Sequence, residues 1–549
     1  MYLCVSKKFL FLIFPSQILI MKLFSFCLIT FVSMTVMAQN PGAFSGAYPA
    51  TKTTDQADIF FGTKVSDPYR WLENDMATDT RDWVQRENQV TNAYLSKIPY
   101  RDAIKKRLTE LWNYEKYSSP FREGAYTYFY RNNGLQNQSV LYRQKNGIQP
   151  EIFLDPNTFS PDGTTSLAGI DFTKDGSMAA YQLSEGGSDW RKVIIINTET
   201  KKLLDDTLTD IKFSALSWHN NEGFYYSSYD KPNEGNQLSG KTQIHKLYFH
   251  KLGTPQTEDK LVFGGEATPR RYIGGQVTEN QQYLIISAAN ATYGNELYIQ
   301  DLTKQNSPIV PIVTGFENEQ DVTDADNGKL YISTNLNAPN RKLVVTNVST
   351  PTSAYWKDLI PETKFPLSVS TGGGRFFAQY TKDAVSEIEE YTPDGKKVKT
   401  IALPGLGTAS GFSGKKEEKE VYYSYTSYVY PSTIFKYDIA TGESSVYKKS
   451  GVKFNPDDFE SKQVFYASKD GTKVPMIITY KKGMQLNGKH PLMLYAYGGF
   501  NISLTPGFSV SNIVFLENGG IYAVANLRGG GESRHVHSNK HFIFQIYFY

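Results

Sequence analysis

Two amphipathic stretches precede a long β pattern. Over residues 78–98, Trp83, Val90 and Tyr94 recur on one face and Val84, Thr91 and Leu95 on the adjoining one, a period that predicts a helix. Pro99 breaks the run, and Ile104, Leu108, Leu111 and Trp112 then predict a second amphipathic helix. After Trp112 the period changes to two. Short alternating segments follow, punctuated by Asp-Gly, Asn-Gly and Asn-Asn turns, which predicts strands joined as hairpins.

These strands repeat. YTYFYRN (126–132), SMAAYQLS (177–184), GFYYSSYD (223–230), YLIISAAN (283–290), KLYISTNL (329–336), RFFAQYTK (375–382) and VYYSYTSY (421–428) align on Tyr128, Ala179, Phe224, Leu284, Leu330, Phe376 and Val421. The anchors are separated by 51, 45, 60, 46, 46 and 45 residues, and most are followed by a second strand such as KVIIINTET or NELYIQDLT. Seven units of this period predict a seven-bladed β-propeller of four-stranded sheets over residues 113–448.

Near residue 450 the character changes again. QVFYASKDGTKVPMIITYKKG (463–483) reads as a hairpin turning at Asp470-Gly471. HPLMLYAYGGF (490–500) and GGIYAVANLRGGGE (519–532) are near-continuous apolar strands, the pattern of a sheet buried on both faces in an α/β fold. The last stretch, 533–549, matches nothing before it and reads as an unrelated tail. It holds three of the seven histidines and an unpatterned aromatic run.

Composition narrows the function. The 549 residues hold 58 Lys+Arg against 55 Asp+Glu, a net charge of +3, which argues against nucleic-acid binding by bulk charge. The only cysteines are Cys4 and Cys27. Residues 21–40, MKLFSFCLITFVSMTVMAQN, have the short positive start, apolar run and small-residue end of a signal peptide cut after Ala38, with Met21 as the start and 1–20 an upstream over-read. Removal of that segment leaves no cysteine for a disulfide, a thiolate zinc site or a nucleophile. No later segment is apolar enough to span a membrane, so the expectation is a periplasmic or secreted chain without a stable membrane anchor.

Candidate chemistry is sparse. Tyr497-Gly498-Gly499 follows an apolar strand, where a Gly-rich loop supplies an oxyanion-hole donor in α/β-hydrolases, and a phenol donates one directional hydrogen bond to developing negative charge. No G-x-S-x-G nucleophile elbow occurs: GFSVS (507–511), GGSDW (186–190) and GFSGK (411–415) each fail the pattern. His535, His537 and His541 have the spacing of a metal set, but stand in a tail without an acidic second shell or strand framework, and read as a chance run. KKEEKE (415–420) reads as a solvated turn. RGGGE (528–532) lacks the spacing of a phosphate loop. No cofactor and no metal are expected.

Taken together, SDPYRWLEN (66–74), RENQVT (86–91), GLQNQSVLYRQ (134–144), LSEGGSDW (183–190), SKDGTKVPM (468–476), YGGFNIS (497–503) and VANLRGGGE (524–532) resemble, in order, the prolyl oligopeptidase family of serine peptidases. The resemblance implies a mainly β fold: a seven-bladed β-propeller plus an incomplete α/β-hydrolase domain. Residues 39–112 would pack on the hydrolase domain, 113–448 would be the propeller and 449–532 would begin the hydrolase sheet. Tyr497 would be the oxyanion-hole phenol, and Phe500 would line an apolar slot for the substrate proline. The implied reaction is cleavage of short proline-containing peptides after proline, by a monomer. In the family, the segment ending RGGGE runs on into a different sequence, and the catalytic serine, aspartate and histidine come later. The expectation is therefore a truncated chain, inactive alone; the alternative is a non-catalytic peptide-binding propeller.

Overall fold

The computed structural model describes residues 46–74, 76–230, 242–499 and 502–531. The signal segment with Cys4 and Cys27, Phe500, and the tail with His535, His537 and His541 lie outside the described residues. The chain divides into two compact units, residues 1–101 and 102–549.

In the first unit, strands Ala57–Phe60 and Thr63–Ser66 form a hairpin, followed by the helix Thr78–Leu95, which closes ahead of Pro99. Arg70 bonds both Asp58 of the hairpin and Asp67, tying the short 3-10 turn Arg70–Glu73 to the hairpin. Two indoles fasten the preceding segment: Trp71 Nε1 donates to Lys52 O at 2.8 Å and Trp83 Nε1 to Thr51 Oγ1 at 2.9 Å.

The helix Arg101–Trp112, all but its first residue in the second unit, leads there into seven antiparallel sheets that cover 116–154, 165–212, 217–264, 272–313, 320–360, 367–401 and 408–448. Six have four strands paired in chain order. The first has a fifth, because Phe121–Glu123 also pairs with Tyr126–Asn132. Each of the seven sequence anchors falls on the second strand of its sheet, and all are 0–2% exposed. A second strand has ladder partners on both sides and a neighbouring sheet on each face. That accounts for the aromatic and branched residues recurring there.

Apolar side chains cement successive sheets. Phe224 of the third sheet packs with Ile195 of the second, and Tyr331 of the fifth with Phe376 of the sixth. Among the described residues such clusters bridge each of the six consecutive pairs. Contacts that skip sheets show that the first strands converge on one axis. Lys174 of the second sheet lies 3.6 Å from Glu279 of the fourth, and the Lys416 N–H of the seventh donates to the same carboxylate at 3.2 Å. The ring closes on polar groups: Lys415 meets Glu123 at 2.7 Å, and the Lys448 ammonium sits 4.6 Å above the Tyr117 ring. The reading of 415–420 as a turn between strands holds, with Lys416, Glu417 and Lys419 exposed, but solvent does not take all its charges. Lys415 and Lys416 are used across the ring, because ring closure brings the seventh sheet's first turn onto the axis.

The remaining strands form one mixed sheet in the order Phe459–Ala467, Lys473–Lys481, Ile521–Ala525, Leu492–Ala496, and only the last pair is parallel. The helix Val510–Glu517 covers it, burying Ile513 and Leu516 with Ile477 and Val524 of the sheet and Leu111 of the helix Arg101–Trp112. Arg107 fixes the two helices with a fork onto Glu517, at 2.9 and 2.6 Å, and a bond to Lys453 O at 3.1 Å. Tyr522 to Ala525 are buried, as the apolar run predicts. Leu492–Ala496 is not. It is the edge strand, no described element covers it, and Leu492 and Leu494 are 58% and 61% exposed.

Candidate active-site segment

Ligand sites in α/β sheets lie beyond the carboxyl ends of parallel strands. Here two loops leave such ends side by side, since Ala496 stands opposite Ala525. One is Tyr497-Gly498-Gly499; the other runs from Asn526 to Gly531. Their backbones touch. A Cβ on Gly529, at φ +102°, would lie 2.0 Å from Gly498 O, and one on Gly498 would lie 2.9 Å from Arg528 O. Both positions therefore require glycine. Arg528 anchors the second loop to the hairpin turn through Asp470 and Ser468 Oγ. Asn526 anchors it through its N–H to Pro475 O at 3.0 Å and its Nδ2 to Leu504 O at 2.7 Å. The glycines at 498 and 529 serve close packing of the two loops.

Tyr497 stands at this junction, 37% exposed. Its ring folds over Gly499, where a Cβ would sit 3.3 Å from the phenol oxygen. Among the described residues the hydroxyl makes no hydrogen bond, so its proton is available to an incoming acceptor. No serine hydroxyl bonds a histidine among the described residues. His245 and His250 belong to the propeller's third sheet, where His250 Nδ1 contacts Asp259 at 2.8 Å and Tyr226 donates to that carboxylate at 2.8 Å. No group of three His, Cys, Asp or Glu suited to a metal occurs among the described residues.

A second constellation escaped sequence reasoning. At one mouth of the propeller, Glu123, Asp171, Lys174, Glu279 and Lys415 converge on a cavity of about 400 Å³. Burial lifts the Asp171 carboxyl to about 6 and also raises Glu123, against the pull of Lys415. A periodic signal was present. Glu123, Lys174, Glu279 and Lys416 each stand five residues before the anchor of their repeat.

Comparison with known proteins agrees with this architecture. The family model described as the prolyl oligopeptidase N-terminal beta-propeller domain matches residues 48–450. A prolyl endopeptidase of Elizabethkingia meningoseptica is 57% identical over 502 residues, covering 91% of this chain and 71% of that protein. Prolyl oligopeptidase A of Amanita bisporigera is 33% identical, over 88% of this chain and 69% of its own length. A structure from a study of two prolyl endopeptidases and their inter-domain dynamics superposes with a TM-score of 0.81 at 32% identity, covering 89% of this chain and 72% of that one. Prolyl oligopeptidase B from Galerina marginata, bound to a 25mer macrocyclization substrate, superposes at 0.80 with 29% identity, over 89% and 73% of the two chains. With seven anchored sheets, a parallel strand pair followed by Tyr497 and relatives of this closeness, the chain belongs to the prolyl oligopeptidase family.

Proposed function

We propose that this chain serves peptide hydrolysis on the carboxyl side of proline, as a periplasmic or secreted monomer whose signal peptide ends at Ala38. The observation that carries the reading is Tyr497, an exposed phenol at the carboxyl ends of two parallel strands, in a chain 57% identical to a prolyl endopeptidase. In acyl transfer a serine oxygen attacks the carbonyl carbon, and negative charge moves to the carbonyl oxygen. Tyr497 would donate its hydrogen bond to that oxygen. Phe500 would line the proline slot, and the charged propeller mouth would restrict access to short peptides. The 549 residues contain no G-x-S-x-G. The chain by itself therefore offers charge stabilisation with no assigned nucleophile or base, and is expected to be inactive alone.

The test is a chimera joining residues 39–531 to the portion of the Elizabethkingia relative that bears its nucleophile, assayed on a chromogenic Gly-Pro substrate. The account expects turnover by the chimera, none by the chain alone, and about 10²-fold lower kcat after Tyr497→Phe. A folded chimera that cleaves nothing, or full activity without the phenol, would overturn it.

A further inference from the structure

Leu367–Gly372 is the first strand of the sixth sheet and pairs only with Arg375–Lys382. Its register decides where each backbone group points. Gly372 faces Arg375 across a two-residue turn, and the Thr381 N–H donates to Pro366 O at 3.0 Å. Pro366 therefore accepts from the partner strand and residues 368, 370 and 372 exchange hydrogen bonds with it, while Leu367, Val369 and Thr371 point outward. Both ends of the outward row are already used. The Leu367 N–H donates to Asn340 O at 2.8 Å, and Thr371 O accepts from the Gly414 N–H at 3.0 Å. Between them, the Leu367 and Val369 carbonyls accept no hydrogen bond from the described residues, and the Val369 and Thr371 N–H groups donate none to them.

That row borders a cavity of about 610 Å³. Its facing wall is Asp321 to Thr323 on the first strand of the fifth sheet, where the ladder skips Thr323. Ser413 and Gly414 of the seventh sheet close one side. Arg341 stands at the rim with its charge already met, its guanidinium 3.0 Å from Glu319 and 3.3 Å from Asp321. Serine and threonine residues make up half of the lining, with Val322, Leu367 and Val369 as aliphatic members and the paired Asp321 and Arg341 as charged ones, and the volume is in the range of small-ligand pockets.

We propose that this cavity is a docking site for an extended peptide, which adds as a strand to the Leu367–Gly372 edge through Val369. The unused groups alternate acceptor, donor, acceptor, donor at strand spacing, the complement of a peptide backbone rather than of a sugar or a phosphate. Recognition is through main chain, so the site accepts peptides without regard to proline. It rests on the proposed peptidase reading only in taking peptides as the ligand class.

The probe is an acetylated and amidated octapeptide of Gly, Ser and Thr, compared with its fully N-methylated counterpart, which cannot donate. Hydrogen exchange of the unmodified full chain should slow several-fold over 365–375 with the first peptide, stay unchanged with the second, and stay unchanged over Val385–Tyr391 with both. Proline is tolerated on an edge strand where its nitrogen faces outward, so Val369→Pro should retain the fold and bind the probe about tenfold more weakly. Equal protection by the N-methylated peptide, no protection by either, or unchanged affinity in Val369→Pro would overturn the proposal. Because the probe lacks proline, its failure leaves the Gly-Pro assay as a separate judgement on the peptidase reading.

Discussion

His245 Nδ1 accepts the backbone N–H of Ile273 at 2.8 Å, and this single bond fixes the tautomer of a fully buried ring. An N–H can only donate, so Nδ1 is bare and Nε2 carries the proton, which it donates to Lys212 O at 3.0 Å. The imidazole thereby links the second, third and fourth sheets. Burial holds its pKa below the ordinary 6.5. Above 6.5 native and unfolded forms are both neutral there. As pH falls through 6.5, the unfolded chain takes a proton that the native site refuses, and stability drops. Glutamine supplies a neutral acceptor and donor. His245→Gln should cost about 1–2 kcal/mol at neutral pH and lose less Tm than the parent between about pH 7.5 and pH 5.5. Parallel Tm profiles would contradict this linkage.

Asp171 works in the opposite direction. Its carboxyl, raised by burial from 3.8 to about 6, gives stability that is present below 3.8 and lost as pH rises through 6. Asp171→Asn keeps an oxygen for the Trp218 N–H, now 3.2 Å away, and removes the charge. The variant should melt about 2 °C or more above the parent near pH 8, with the gain fading towards pH 4. A gain that grows on acidification would contradict the assignment.

The loop contact at Gly498 predicts a local failure. Gly529→Ala places a methyl within bonding distance of Gly498 O, in a left-handed backbone. The expected cost is about 3 kcal/mol or more, confined to the mixed sheet. Limited proteolysis should then cut faster beyond residue 450 and leave the propeller fragment at its parental rate. Equal acceleration in both regions would show that the loop contact stabilises the whole second unit.

The bare edge Leu492–Ala496 predicts self-association. Apolar residues stand exposed on a strand whose outer side has no ladder partner among the described residues. Leu494→Lys, at a site 61% exposed, should lower light scattering at matched concentration while changing Tm by about 1 °C or less. Scattering unchanged by the lysine would place the association elsewhere.

The propeller was legible because its signal is local and repeated. An anchor such as Phe224 or Leu284 is buried by its own ladder neighbours and by the next repeat, so hydrophobic alternation reports it directly. The place of Tyr497 at the end of a strand was legible because an apolar run leads straight into it. Burial at 492–496 was misread because an apolar run cannot distinguish a central strand from an edge strand, and strand order is a tertiary fact. The helix Val510–Glu517 escaped notice since VSNIVFLE is apolar on nearly every face and carries no period. The mouth charges looked like turn residues one at a time. Only ring closure sets Lys416 against Glu279, 137 positions earlier in the chain. Nothing in the strand His245–Lys251 marks its first histidine as the staple of three sheets.

The central proposal is that Tyr497 would serve as an oxyanion donor in a chain whose sequence holds no G-x-S-x-G, and that the chain alone is inactive. The direct measurement is labelling of the purified native chain with a fluorophosphonate probe, with the Elizabethkingia prolyl endopeptidase labelled in parallel. The account predicts no stoichiometric adduct on any serine of this chain, beside about one equivalent on the relative. One serine labelled to about one equivalent in the native chain, and lost on unfolding, would contradict it.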